Sequence, residues 1–162
     1  YTRTGSRTPM QWDSSKNHGF STAEPEKLYL PVDITPNAPT AEAQERDADS
    51  LLHVVKAVLK LRGEQEALTD NENLELLYAK EGVRSFAYRR GNLLMMCNPS
   101  GEEAVIRMED LMTVSAETPK ALESAVEPGT KLFEIGAADY ADGSCRLGEQ
   151  SFVIWQIKNT SV

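Results

Sequence analysis

The sequence lacks features that mark several classes of protein. No apolar run approaches the roughly 18 residues that a membrane-spanning helix needs. Positive charge is scarce, because 17 Lys and Arg face 25 Asp and Glu and give a formal net charge of -8. Binding to a nucleic-acid backbone requires a basic surface. We therefore expect neither a membrane nor a nucleic acid as a partner.

Cysteine is also scarce, and no residues stand at metal-ligand spacing. Cys97 lies inside an apolar run, which favours a buried free thiol, with a disulfide to Cys145 as the alternative. The stretch Asp139–Gly143 ends in a hairpin turn signal and lacks the further oxygen ligands of a calcium loop. No phosphate-binding loop or nucleotide fingerprint is present. We expect no metal and no cofactor.

What is present is the composition of a globular protein. The 162 residues are 40% hydrophobic and 26% charged, and this length fits one domain, or a small domain with an appended piece. No basic and apolar leader stands at the N-terminus. We expect a cytoplasmic protein.

Residues 1–64 are expected to form a long loop followed by one helix. Up to Asp47 the segment is rich in turn residues and holds five prolines, and such a loop is improbable inside a small compact domain unless it lies across another surface. Apolar residues then recur at helical spacing from Leu51 to Leu61. Asp47 or Asp49 is predicted to cap the helix, and Gly63 to end it in the C′ position.

From about Leu68 the apolar residues alternate with a period of two. This pattern predicts short strands separated by Gly, Pro and Asn turn signals, among them Asp142-Gly143. Two of the strands, around residues 93–97 and 152–157, are apolar on both faces and are predicted to be interior. Seven or eight such strands predict an antiparallel β-sandwich. The predicted strands are 73–79, 83–90, 92–98, 103–108, 120–126, 130–135 and 150–157.

One polar motif stands apart from this pattern. The N-terminal stretch holds Arg3 and Arg7 four residues apart, and Arg7 begins the run Arg-Thr-Pro-Met-Gln-Trp, which ends at Trp12. Asn17-His18-Gly19-Phe20-Ser21 follows shortly after. The two segments resemble a loop of the glycoside hydrolase family 13 enzymes (the α-amylase superfamily). They are most similar to the oligo-1,6-glucosidase, α-glucosidase and trehalose synthase branch, which carries Arg-Thr-Pro-Met-Gln-Trp followed by Asn-Ala-Gly-Phe-Ser.

The resemblance implies a fold for each half of the chain. Residues 28–33 and 44–62 are similar to a short strand and to the final helix of the family's catalytic barrel, and Asn98-Pro99-Ser100 resembles a segment of its C-terminal domain. Residues 1–64 would then be the last βα-loop and last helix of a (β/α)₈ barrel. Residues 65–162 would be the C-terminal all-β sandwich domain. Such barrels build their active sites from βα-loops.

The resemblance also implies a retaining mechanism on α-glucosidic bonds, with one carboxylate as nucleophile and a second carboxyl group as acid and base. In the family these groups lie on barrel strands before this loop. We therefore expect a fragment with no catalytic residue of its own, inactive alone, whose partners are α-glucoside sugars and the missing barrel of the same polypeptide. Glu42, Glu45, Asp47 and Asp49 are expected to form a solvated helix-start cluster.

The loop can supply positioning, because a guanidinium presents five fixed donors to hydroxyls or carboxylates. By resemblance, Arg7 would lie beside the terminal glucose with a barrel carboxylate as its partner. Arg3 would point toward the acceptor or leaving sugar. The alternative is that either arginine only braces the loop.

The remaining motif residues are expected to form the scaffold of the loop. Pro9 would stiffen the turn, and Met10 and Gln11 would support it. Trp12 is expected to be buried beneath the loop, with stacking on a sugar as the alternative. His18, where the family motif has Ala, is expected at the surface, and His53, on the predicted helix, is expected to face solvent.

Two other functions stay open from the sequence. The chain could be a stand-alone carbohydrate-binding sandwich, although its aromatics mostly fall in strands that look buried. It could also be an oligomerisation module, because an exposed apolar stripe on a helix is typical of a protein–protein interface. We expect the isolated chain to self-associate through residues 1–64 or to leave much of 1–47 poorly ordered.

Overall fold

The computed structural model describes residues 7–69, 74–113, 120–121 and 126–158, and only the backbone of residues 113, 120 and 121. The chain divides into two compact units, Tyr1–Lys60 and Leu61–Val162. Within the described residues, no helix is long and apolar enough to cross a bilayer.

The first unit is built from turns and short helices. Two 3₁₀ turns, Lys16–Gly19 and Pro25–Lys27, precede a six-residue helix, α1, at Ala41–Arg46. The Thr40 side chain caps α1 by accepting a hydrogen bond from the Ala43 N–H at 3.2 Å. α1 was not predicted, because six residues are too few to show a helical period.

The predicted helix is confirmed as α2, Leu51–Glu64, but its predicted ends are wrong. Ser50 stands immediately before the helix, and its carbonyl accepts the Val54 N–H at 3.1 Å. The Asp47 carboxylate binds the Asp49 N–H at 3.0 Å instead of a helix N–H. Gly63 lies inside the last turn without a positive φ, so it is not a left-handed C-cap.

The second unit is mainly β, as predicted. Its described residues form ten strands, all paired antiparallel, in sheets of order β1-β2-β3-β10-β7, β4-β9-β8 and β5-β6. The strands are β1 Leu74–Tyr78, β2 Phe86–Arg90, β3 Leu93–Asn98, β4 Ala104–Arg107, β5 Met112–Thr113, β6 Lys120–Ala121, β7 Pro128–Ile135, β8 Ala138–Ala141, β9 Ser144–Leu147 and β10 Ser151–Ile157.

Most of the predicted strands are found; most are shorter than predicted, whereas β7 begins two residues earlier, at Pro128. β3 and β10 are interior strands of the five-stranded sheet, which confirms that prediction. Of the predicted strand 120–126, Lys120–Ala121 form a strand, Val126 does not, and residues 122–125 lie outside the described part. The hairpin of β8 and β9 closes with two residues of positive φ, Asp142 at 49° and Gly143 at 70°, so Asp142-Gly143 is the predicted hairpin turn.

Two apolar clusters lie on opposite faces of the five-stranded sheet. The larger is shared with the three-stranded sheet, since it contains Leu94, Met96 and Trp155 together with Ile106 and Leu147. The smaller contains Leu61, Leu93, Met95 and Ile154. Both cysteines are free, with Cys145 fully buried and Cys97 half-buried, as the free-thiol interpretation predicted.

Candidate functional site

The candidate site is the loop from Arg7 to Phe20, in the first unit. Pro9 is buried and Gln11 is half-buried, whereas the side chains of Arg7, Met10 and Trp12 are exposed. Arg3 lies outside the described residues. The loop therefore directs its proline inward and most of its larger side chains outward.

One side of the loop is held by the start of α1. The carbonyls of Gln11 and Trp12 accept the N–H groups of Ala41 and Glu42, each at 2.9 Å. The side-chain amide of Gln11 donates to the Pro39 carbonyl at 2.8 Å. The first N–H groups of a helix have no partner inside it. Here the motif supplies those partners, so it caps α1 and is fixed by it.

The other side of the loop is closed by His18. Its carbonyl accepts the N–H of Trp12 at 2.8 Å and that of Asp13 at 3.3 Å. Hydrogen bonds from the Ser15 side chain and N–H lower the pKa of the Asp13 carboxyl below its usual value. The Trp12 backbone is thus bonded through its N–H to His18 and through its carbonyl to Glu42.

The bend between Asn17 and Gly19 has an unusual backbone. Asn17, His18 and Gly19 have φ values of 53°, 53° and 71°, in the left-handed region. The buried Asn17 amide stabilises the bend by donating to the carbonyls of Ser21 and Ala23, both at 2.8 Å. A Cβ at residue 19 would lie 2.7 Å from an Asp13 oxygen. Only glycine fits this position.

Two expectations about the histidines are wrong. His18 is half-buried, because its Nε2 lies 2.9 Å from the Asp33 carbonyl. His53, expected to face solvent, is half-buried on α2 with its Nδ1 3.0 Å from the Ser50 hydroxyl. In both cases a hydrogen bond to a nearby group draws the ring inward. Such hydrogen bonds follow no periodic pattern of residue types, so the sequence does not predict them.

The exposed side chains of the loop differ from expectation in one respect. Trp12 is 53% exposed, so the expected burial of its indole is wrong for the described chain. Its backbone is nevertheless bonded on both sides, to His18 and to Glu42. Within the described residues the Arg7 guanidinium makes no hydrogen bond or ion pair, which leaves its five donors available to a ligand.

A cleft of about 310 Å³ adjoins this loop within the first unit. Residues 8–11 line one side, and Pro39, Ala41, Gln44 and Leu52 line the other. Gln44 is itself engaged, because its Oε1 accepts the Leu52 N–H at 3.0 Å. The lining mixes apolar side chains with a few polar groups, as sugar and small-molecule sites do.

The carboxylates near the loop serve structural bonds. Glu42 pairs with Arg46 one turn along α1, and Glu45 lies 3.9 Å from the Lys56 ammonium. These pairs are exposed, as the solvated-cluster interpretation predicted. In the part of the chain that the structure describes, no three His, Cys, Asp or Glu side chains come together as a metal site would require.

Comparison with known proteins places these features in a family. Residues 1–71 match the α-amylase catalytic domain. The trehalose-6-phosphate hydrolase of Bacillus subtilis is 34% identical over 112 residues, which are 67% of this chain and 19% of that protein. The glucan 1,6-α-glucosidase of Streptococcus pneumoniae is 35% identical over 111 residues, 66% of this chain and 20% of that protein. The chain thus spans about a fifth of the length of these curated relatives.

Solved structures agree at the level of fold. An isomaltulose synthase variant from Erwinia rhapontici NX5, in complex with D-glucose, gives a TM-score of 0.72 at 22% identity, over 97% of this chain and 26% of that one. The trehalulose synthase of Pseudomonas mesoacidophila MX-45 gives 0.68 at 24% identity, over 94% of this chain and 25% of that one. With its motif, its matched residues and its relatives in agreement, the chain belongs to the α-amylase family, glycoside hydrolase family 13.

Proposed function

We propose that this chain is the C-terminal part of an enzyme that acts on α-glucosidic bonds by a retaining mechanism. Residues 1–64 supply the last βα-loop and last helix of its (β/α)₈ barrel, and residues 65–162 form its C-terminal β-sandwich. The chain itself carries no catalytic residue. Its site residues bind and position the sugar, and the missing barrel of the same polypeptide supplies the chemistry.

The observation that carries this proposal is the inverted burial of the first unit. Among its described residues, the buried ones are Pro9, Asn17, Thr40 and Ser50, three of them polar. Large apolar side chains are exposed instead, including Ile34 at 91% and Tyr29 at 90%. A unit that buries polar groups and exposes apolar ones is expected to pack its apolar face against another surface.

Helix α2 shows the same inversion along one stripe. Leu51, Val55, Val58 and Leu59 are all exposed, and their spacing of four, three and one places them on one helical face. As the last helix of a barrel, α2 would pack this stripe against the neighbouring elements of the barrel. The family match, which ends just beyond α2 at residue 71, supports the rest of the catalytic domain as the surface it covers.

The sandwich is supported by the core of the second unit. The five-stranded and three-stranded sheets contribute to one apolar cluster, in which Leu94 and Met96 meet Ile106 and Leu147. Two antiparallel sheets that share a core in this way form a β-sandwich.

The chemistry assigned to the loop is recognition. A retaining glycosidase needs a nucleophilic carboxylate and an acid/base carboxyl group about 5 Å apart, and these would come from barrel strands before residue 1. The Arg7 guanidinium is exposed and free of partners within the described chain, so it can pair with a barrel carboxylate and hold the terminal glucose. Arg3 would contact the acceptor or leaving sugar. Hydrolysis and transglycosylation use the same loop.

Substitution of Arg7 in the polypeptide that carries this chain tests the proposal. We expect Arg7→Ala to lower kcat/KM for an α-glucoside about 100-fold, because a misplaced substrate reacts far more slowly. Arg7→Lys should recover part of this loss, since it restores charge without the planar fork. Arg146→Lys, at an exposed ion pair with Glu103 in the second unit, is the matched control and should change little. Wild-type kinetics in Arg7→Ala would contradict the role of Arg7.

A further inference from the structure

His18 makes a bond that the rest of the site depends on. Its Nε2 lies 2.9 Å from the Asp33 carbonyl oxygen. A carbonyl can only accept, so Nε2 must carry the proton. The other ring nitrogen, Nδ1, is buried and has no partner among the described residues. The ring is therefore oriented by a single directed bond.

The backbone of the same residue reaches the motif. The His18 carbonyl accepts the N–H groups of Trp12 and Asp13, while the Trp12 carbonyl accepts from Glu42. The backbone of Trp12 is therefore bonded directly to that of His18. The imidazole thus connects residue 33 of the following segment with the loop that presents Arg7 and Trp12.

The residue type matters at this position. His18 has φ of 53° and ψ of 38°, and histidine is among the non-glycine residues enriched in this left-handed region. An alanine, as in the Asn-Ala-Gly-Phe-Ser form of the motif, has no atom that could reach the Asp33 carbonyl. The bond is therefore a property of this chain's own sequence rather than of the motif.

We propose that His18 is a positioning residue for the sugar site: its Nε2–H ties the loop of residues 12–20 to Asp33 and so fixes the Trp12 backbone. This role rests on the proposed function, since it acts on how the loop meets a sugar. The bond itself exists whether or not a sugar is the ligand. The two claims can therefore be tested separately.

The first measurement is hydrogen exchange by mass spectrometry on the polypeptide that carries this chain. In His18→Ala, amides in residues 12–20 should exchange about five-fold faster than in the wild type, as loss of one hydrogen bond allows. His18→Gln should restore slow exchange, because its Nε2 amide can donate in the same direction. His53→Ala, which removes the other histidine of the chain, should leave residues 12–20 unchanged.

Three results would contradict the proposal that the hydrogen bond from His18 to Asp33 holds the loop. These are unchanged exchange in His18→Ala, failure of His18→Gln to restore protection, or the same acceleration in His53→Ala. If His18→Ala does not accumulate as a folded protein, His18→Asn takes its place. Asparagine tolerates the left-handed conformation, but its side chain is too short to reach Asp33.

The second measurement is the steady-state kinetics of the same variants on an α-glucoside. We expect His18→Ala to raise KM about five-fold with kcat within about two-fold, because the loop positions sugar and the catalytic carboxylates lie elsewhere. His18→Gln should return KM to the wild-type value. Faster exchange with unchanged KM would show a purely structural bond and overturn the positioning role. A wild-type polypeptide without α-glucosidase activity would instead refute the proposed function. The exchange data would still show whether the hydrogen bond from His18 to Asp33 holds the loop.

Discussion

The two units of the chain keep their structure by different means. In Leu61–Val162 the buried residues are mostly apolar, and Leu94, Met96, Leu147 and Val153 are completely inaccessible. In the described part of Tyr1–Lys60 the interior consists of small or polar side chains whose bonds go to backbone groups. The second unit resembles a domain with its own core. The first resembles a surface layer whose own core lies elsewhere.

This difference explains how the loop keeps its shape while its side chains stay available for binding. A loop held by hydrogen bonds to its own backbone keeps its form while its apolar and cationic side chains remain free to meet another surface. The free energy of folding in the second unit comes from apolar burial. Under the proposed function, burial of the apolar face of the first unit depends on a partner, and the following predictions test this contrast.

Truncation of apolar side chains should give the largest difference in the free energy of unfolding between the two units. Leu147→Ala in the second unit should lower the free energy of unfolding by about 2–5 kcal/mol, because it leaves a cavity in a closed core. Leu59→Ala, at a side chain 61% exposed, should cost about 0.5 kcal/mol or less in the 162-residue chain. Urea unfolding measures both. In the longer polypeptide, where the α2 stripe is covered, Leu59→Ala should become costly, and equal cost in both contexts would break the contrast.

The two buried asparagines sharpen the comparison at the level of hydrogen bonds. Asn98 is inaccessible; its Nδ2 donates to the carbonyls of Glu102 and Gly148, and its Oδ1 accepts from Ser100. Asn98→Ala should destabilise the second unit by about 2–3 kcal/mol, because several buried polar groups lose their partners. Asn17→Asp should instead speed amide exchange within residues 12–23 and leave the unfolding of the second unit unchanged. Global destabilisation by Asn17→Asp would contradict the independence of the two interiors.

The last prediction concerns alkaline pH. Burial raises the pKa of the Cys145 thiol to about 11, from the 9.0 expected of an exposed thiol. Below pH 9 the thiol is neutral in both states. Between pH 9 and about 11 only the unfolded chain loses this proton, so stability falls as pH rises. Cys145→Ala should lack this component, and urea midpoints of both proteins between pH 8 and 11 measure it. Parallel pH profiles would refute the assignment.

Sequence reasoning was most accurate where side chains repeat. Apolar residues on both faces identified β3 and β10 as interior strands, because both faces of those strands are packed. It failed where one hydrogen bond decides the structure. Thr40 and Ser50 precede the two helices, yet the aspartates nearby were the stronger sequence signal. The Asn17, His18 and Gly19 bend depends on contacts with Ser21, Asp33 and Asp13 that no local pattern encodes.

The same limit applies to the site. The motif from Arg7 to Trp12 indicated the family, because its residue types are specific. The exposure of Trp12 and the inward turn of His18 follow from the fold of the surrounding loop and could not be derived from residue types. A motif therefore indicates which chemistry to look for, and the contacts around it determine which side chains are available.

The central claim is that this chain presents a sugar-binding loop whose catalytic groups lie elsewhere in the same polypeptide. The most direct test compares α-glucosidase rates, at equal molar amounts, of the 162-residue chain and of the native polypeptide captured with antibodies against residues 61–162. We predict hydrolysis or glucosyl transfer by the captured polypeptide and no rate above background for the chain alone. Activity of the chain alone, or an inactive native polypeptide, would contradict the account.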